Sequence, residues 1–334
     1  MNFQMTVIKV SGLTKDYSVR KKESPSTKLA RLRHLISPPT TKFRALKSIN
    51  FELNEGEFLG YIGPNGSGKS TTIKLLTGVL TPTEGNASVL GYQPWKRQKA
   101  FTRQIGVIFG NKSLLFWDLP VVDSLKLYRD IYNLDNQEFE TRLEEFNKIF
   151  QLSQLINRPV RKLSLGERMR SEIAAALIHN PPVLFLDEPT IGLDSLAKQE
   201  ITAFLKKYQQ REKTTVILTT HTISDIEALC EQVIILNLGE IIYDGSISNL
   251  KGKFDDRTIH LSLRHTDGSK LLREYGDITT RISEFQYEVK STKDSVRKIL
   301  AELINFDLDI SDIKINEPDL ESIIREIYQW NIGE

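Results

Sequence analysis

Short apolar runs alternate with stretches of helical period along roughly the first 250 residues. Residues 5–14 and 49–53 read as strands, and 57–61 as a third, set off by a turn at Asn54, Glu55 and Gly56. Residues 86–90 and 104–109 add two more. Between 121 and 178 the period lengthens, with Val122, Leu125, Tyr128 and Ile131 on one helical face and further helices over 139–150 and 166–179. Residues 183–187, 214–219 and 233–236 are short and almost wholly apolar, the texture of strands covered on both faces of a parallel sheet. A hairpin is expected over 239–245. From about residue 251 the texture changes: 258–263 and 285–289 alternate as half-exposed strands, and 296–305 and 320–328 have amphipathic helical spacing. The pattern predicts an α/β domain over 1–250 with a mainly parallel sheet, followed by a small α+β module over 251–334. That module carries no glycine-rich loop or metal-ligand spacing, and it suits packing, dimerisation or regulation better than catalysis.

One stretch interrupts this order. Residues 19–44 hold Arg20, Lys21, Lys22, Lys28, Arg31, Arg33, Lys42 and Arg44 against the single acid Glu23. Leu29, Leu32, Leu35 and Ile36 fall at helical spacing before a break at Pro38 and Pro39. Two readings stay open: a solvated surface loop, or a basic amphipathic helix that touches anionic lipid or a membrane partner.

With 334 residues, 40% of them apolar, the chain has enough material for one large core and a smaller one. A net charge of +2 sets up no overall field, and no nucleic-acid partner is expected. The single cysteine, Cys230, excludes a disulfide framework and suits a reducing compartment. No secretory signal is visible, and no apolar run approaches the roughly 20 residues needed to cross a bilayer. The chain is therefore expected in the cytosol, reaching a membrane only through partners.

The chemistry begins where the strand over 57–61 runs into Gly63-x-x-x-x-Gly68-Lys69-Ser70 and then a helix. Gly63, Gly66 and Gly68 let the backbone turn sharply and point its N–H groups inward, making a cradle for a phosphate chain at a helix N-terminus. The candidate nucleotide-binding set is Gly63, Pro64, Asn65, Gly66, Ser67, Gly68, Lys69, Ser70 and Thr71. Lys69 is placed to reach the β- and γ-phosphates, and Ser70 to offer a hydroxyl to Mg²⁺. The apolar strand over 183–187 ends in two adjacent acids. Asp187 is placed to hold the water shell of the same metal, and Glu188 to orient an attacking water. A glutamate of ordinary pKa, about 4.3, is a weak base, so its contribution is mainly orientation.

Leu163, Ser164, Leu165, Gly166 and Glu167 open the next helix, whose first turn has N–H groups to offer an anion. Here the chain resembles the ATP-binding cassette family, the ATPase subunits of ABC transporters. The family signature is Leu-Ser-Gly-Gly-Gln; this chain departs at two of the five positions and keeps Ser164 and Gly166, which touch phosphate in the family. The resemblance covers about residues 5–250. It implies a P-loop NTPase fold with an antiparallel β subdomain and a helical subdomain over about 112–180. Asp194 falls at the D-loop and His221 at the switch histidine that senses γ-phosphate. Asn111 stands where the family has a glutamine linking metal and water to the membrane partner, shorter by one methylene but with the same amide chemistry. Tyr17 fits the aromatic residue that stacks on adenine, with Phe43, at the far end of the insertion, as its competitor.

Further stretches, at 90–95, 116–124 and 163–169, look like those of bacterial drug- and viologen-exporter ATPases. The resemblance thus implies an ATP-hydrolysing motor that uses Mg²⁺, works as a head-to-tail homodimer or with a related ATPase subunit, and sits peripherally on the cytoplasmic face of the inner or plasma membrane, bound to transmembrane permease subunits. Phe116, Trp117 and Leu119 suit either the groove that receives those subunits or the core. Two rival readings stand beside this one: a soluble ABC ATPase acting on ribosomes or nucleic acid, and a slow-turnover nucleotide-dependent regulatory binder, which Asn111 and Glu167 would suit.

Overall fold

The computed structural model describes residues 5–20, 40–110, 112–254, 256–264, 279–292, 294–305 and 309–330. Its contacts divide the chain into two compact units, Met1–Ser246 and Ile247–Glu334.

The first unit opens with two long strands, β1 (Thr6–Arg20) and β2 (Thr40–Asn54), then β3 (Phe58–Ile62), helix α1 (Lys69–Leu76) and β4 (Glu84–Val89). A one-turn helix α2 (Lys99–Thr102) leads to β5 (Ile105–Phe109). Three helices follow: α3 (Val121–Tyr132), α4 (Asn136–Phe150) and α5 (Leu165–Leu177). The unit closes with β6 (Val183–Asp187), α6 (Ser195–Glu212), β7 (Thr215–Thr219), α7 (Ile223–Leu229), β8 (Gln232–Asn237) and β9 (Glu240–Ser246).

Two sheets carry this unit. The larger has the order β5-β6-β7-β3-β8-β9 and is parallel throughout except for the β8–β9 hairpin. Three of its four inner strands, β3, β6 and β7, are buried at every position, in keeping with their largely apolar texture. The register aligns their carboxyl ends: Thr219 pairs with both Tyr61 and Asp187, and Asp187 with Phe109. The loops that follow these strands therefore leave from one rim, where open α/β sheets place their ligands. The smaller sheet, β2-β1-β4, is antiparallel. A common core joins the two, with Ile8, Leu13 and Leu53 of the small sheet clustered with Tyr61, Ile73 and Phe185. Tyr61 is fully buried, and its hydroxyl is satisfied by Thr72 Oγ1 at 3.2 Å, which fixes α1 against the sheet it follows. Cys230, at the end of α7, is buried at 7% exposure, with its sulfur 3.3 Å from where a Cβ on Gly60 would lie.

The insertion expected over 19–44 is narrower. β1 continues to Arg20 and β2 starts at Thr40, with Tyr17 opposite Phe43 and Val19 opposite Thr41. The β-branched and aromatic residues at these ends favour an extended ladder despite the surrounding charge. Residues 21–39, with Leu29, Leu32, Leu35 and Ile36, lie outside the described residues.

The second unit starts with the short helix α8 (Ile247–Gly252) and builds a four-stranded antiparallel sheet from β10 (Asp256–Leu263), β11 (Thr279–Ser283), β12 (Gln286–Thr292) and β13 (Ile310–Asn316), in the order β11-β12-β10-β13. Ile259, Leu261 and Leu263 alternate inward and pack with Tyr287, Val289 and two residues of α9 (Val296–Asn305), Ile299 and Leu303. In α10 (Leu320–Trp330) the buried positions Leu320, Ile323, Ile324 and Ile327 follow the helical stripe. β11 and β13 are not foreseen by the alternation, because each shows few buried side chains.

Candidate functional site

The rim of the large sheet brings most of the candidate residues together. Between β3 and α1 the chain turns through Gly66 and Gly68, with φ of +81° and +114°. A side chain on Gly63 is excluded by space: its Cβ would lie 2.4 Å from the Leu236 carbonyl oxygen and from Ser67 Oγ. The loop is pinned by Gly239 N donating to the Ser67 carbonyl at 3.0 Å. Within this cradle Ser67 Oγ is buried and has no partner among the described residues. An orphaned hydroxyl beside a helix N-terminus is what a bound phosphate oxygen would satisfy, so the loop fits the triphosphate its spacing predicts.

Lys69 folds back over the loop, donating to the Gly63 carbonyl at 2.7 Å and the Pro64 carbonyl at 3.2 Å. Burial lowers its pKa, while the carboxylates of Glu188 and Asp187 act in the opposite direction. The ammonium thus rests on neutral carbonyls with two acids nearby. Ser70 Oγ donates to Asp187 Oδ1 at 3.2 Å, and Thr219 Oγ1 donates to the same oxygen at 2.5 Å. Thr219 holds Asp187 in place, and its role depends on strand register, which local sequence does not display. Ser70 and Asp187 together present hard oxygen donors suited to Mg²⁺.

Glu188 has φ +57°, a conformation that costs a residue with a side chain about 1–3 kcal/mol. Its N–H donates to the Thr219 carbonyl at 2.9 Å, which holds the turn, and its carboxylate pairs with His221 Nε2. His221 itself remains exposed. Tyr17 reaches the same region, its hydroxyl 3.5 Å from Thr71 Oγ1. Phe43, its cross-strand neighbour, is 54% exposed. Asn111 lies outside the described residues.

Ser164, Gly166 and Asp194 form a second group where α5 and α6 begin. Asp194 caps α6, accepting from Ala197 N at 2.9 Å, and a Cβ on Gly166 would lie 3.1 Å from that of Ala197. The first turn of α5 is less free than its sequence suggests. Ser164 Oγ accepts from Glu167 N at 3.2 Å, and Glu167 Oε2 accepts from Ser164 N at 2.7 Å, a complete capping box. Glu167 Oε1 also takes Arg158 Nη1 at 2.9 Å. The Ser164 N–H holds the Glu167 carboxyl below the usual range, with smaller contributions from Arg158. The carboxylate that departs from the family signature is therefore occupied in closing its own helix. Apolar residues surround this group, with Ile191, Leu196 and Leu165 all exposed. Phe116, Trp117 and Leu119 are likewise exposed, which excludes the core reading for them. Arg161 N bonds the Trp117 carbonyl at 3.0 Å, tying their loop to the approach to α5.

The family model described as ABC transporter matches residues 46–191. The chain is 32% identical over 207 residues to the ABC transporter ATP-binding protein NatA of Bacillus subtilis (strain 168), covering 62% of this chain and 84% of that one. It is 29% identical over 286 residues to the linearmycin resistance ATP-binding protein LnrL of the same organism, covering 83% and 91%. Among solved structures, the dimeric ATP-binding cassette MJ0796 in a post-hydrolysis state bound to ADP and Pi aligns with a TM-score of 0.59 at 28% identity, covering 72% of this chain and 98% of that one.

Proposed function

The chain belongs to the ABC transporter family as an ATP-binding subunit that hydrolyses ATP, and from that premise we propose that it is the motor of an exporter. The observation that carries the reading is the connected set at the sheet rim, where Ser70, Asp187 and Thr219 form one hydrogen-bonded chain and Glu188 pairs with His221 beside it.

In this reading the cradle of Gly63–Thr71 holds the phosphates, and Lys69 leaves the Gly63 and Pro64 carbonyls to meet them. Ser70 and Asp187 would hold Mg²⁺, which supplies charge neutralisation at the β- and γ-phosphates when bound. Glu188 orients the attacking water, and His221 fixes the Glu188 carboxylate at the exposed mouth of the site. Tyr17 stacks on the base. The second group completes the site from a second copy or a related subunit, packed head to tail, with Ser164 and Gly166 of one facing the cradle of the other. Exposed Ile191 and Leu196 beside Asp194 supply apolar surface for that contact, and the dimeric state of MJ0796 supports it.

Among the described residues no helix is long and apolar enough to cross a membrane. Transport then requires separate permease subunits, and the exposed Phe116, Trp117 and Leu119 are the surface proposed to receive them on the cytoplasmic side. The exporter direction rests on the likeness to a resistance protein across most of the chain.

The deciding experiment is Glu188→Gln with nucleotide binding, turnover and oligomeric state measured together. The expected result is retained ATP, a stable dimer and a loss of turnover of about 10²–10⁴-fold. Wild-type turnover in this variant would remove Glu188 from the reaction.

A further inference from the structure

Glu188 and His221 must hold their pairing although one has a strained backbone and the other faces solvent. The loops that carry them meet at a buried carboxylate that the mechanism above does not use. Asp225, in the first turn of α7, is 2% exposed. Its Oδ2 accepts from Thr190 Oγ1 at 2.7 Å and from Thr220 Oγ1 at 3.3 Å. Its Oδ1 pairs with Lys198 Nζ at 3.0 Å. Thr190 lies two residues beyond Glu188, Thr220 immediately precedes His221, and Lys198 stands in the first turn of the helix capped by Asp194. Thr220 Oγ1 also accepts from Thr222 N at 3.0 Å, so the backbone on both sides of His221 is drawn into the same network.

We propose that Asp225 is the positioning residue for hydrolysis. Its carboxylate fixes the Glu188 and His221 loops relative to each other and locks both to the start of α6, where Asp194 stands. Charge-assisted bonds in a buried setting are strong and geometrically exacting, and three donors on one carboxylate leave little freedom for any of the three segments. A shift of about 1 Å in a reacting constellation costs roughly 10²-fold in rate. Among the described residues, the phosphate cradle and Tyr17 share no hydrogen bond with this network, so ATP affinity should not follow the rate.

The test compares Asp225→Asn, Thr190→Val and Thr190→Ser in the purified full chain, with kcat, KM, equilibrium ATP binding and thermal unfolding measured on each. The expected result is a fall in kcat of about tenfold or more for Asp225→Asn and Thr190→Val, with KM and ATP affinity held within about twofold, and a kcat near the parent value for Thr190→Ser, which keeps the hydroxyl. If Asp225→Asn does not fold, the Thr190 pair decides alone. Unchanged kcat in Thr190→Val, or a loss that tracks KM and thermal stability, overturns the proposal. The inference rests on Glu188 as the water-orienting residue, so Glu188→Gln is run alongside. Full turnover in Glu188→Gln defeats that reading, whereas an inactive Glu188→Gln with a fully active Thr190→Val defeats only the role of Asp225.

Discussion

Ser70 Oγ donates to Asp187 Oδ1 across 3.2 Å, closing a separation of 117 residues in the chain. The serine stands in the first turn of α1 and the aspartate ends β6, and both stand at the same rim of the large sheet. The pair presents two oxygen donors side by side, as a shared Mg²⁺ ion would require. Substituting Asp187→Asn should therefore lower turnover by roughly a hundredfold or more and remove the dependence of ATP affinity on Mg²⁺. Titration of a fluorescent ATP analogue with and without Mg²⁺ checks this. An unaltered magnesium dependence would exclude Asp187 as a metal residue.

Tyr17 and Phe43 sit opposite each other on β1 and β2, but only the tyrosine is tied to the phosphate-loop helix, through Thr71. Tyr17→Ala should weaken ATP binding by roughly tenfold or more, the value of one aromatic–base stack, whereas Phe43→Ala should change it by less than about twofold. The reverse order would place adenine on β2.

Glu167 makes a prediction about stability. Glu167→Ala opens the capping box of α5 and should cost about 1 kcal/mol at neutral pH, while Glu167→Gln, which still accepts from Ser164 N, should cost less. The folded carboxyl lies below its ordinary value of 4.5, so its stabilisation is present above that pH and is lost as pH falls through the lower, folded value. Denaturant titrations of parent and Glu167→Ala should converge in acid.

His179 also makes the fold less stable in acid, but because it is buried in its neutral form. It stacks on Tyr132 with ring centroids 3.6 Å apart, and burial brings its pKa down to about 4 from 6.5. Protons bind the unfolded chain first as pH drops below 6.5, so stability declines between there and pH 4. The loss at pH 5 is about 2 kcal/mol. His179→Phe keeps a ring against Tyr132 and should flatten the slope between pH 7 and 5. An undiminished slope would assign the acid sensitivity to another group.

The legible parts of this protein are those in which chemistry and spacing coincide. The phosphate loop announces itself because no other arrangement of Gly63, Gly68, Lys69 and Ser70 serves the same end. Asp187 and Glu188 are visible because two acids at the end of an apolar strand follow a complete phosphate loop upstream. Glu167 reads as a conflict when aligned with the family signature, although Ser164-x-x-Glu167 is itself a helix-start pattern. Thr219 and Asp225 carry no local mark. Their importance arises only when strand register and loop packing bring them beside residues distant in sequence. The strand ends at Arg20 and Thr40 are masked by the basic charge around them, which says nothing of backbone pairing.

Cys230 has a practical consequence. The chain's lone thiol is sealed behind α7, and burial pushes its ionisation far above physiological pH. Maleimides and bifunctional sulfhydryl reagents thus find no target on the native fold. A cysteine engineered at Leu196 or Trp117, both exposed, would take a dye or a bridge alone, and the parent sequence would serve as its own blank.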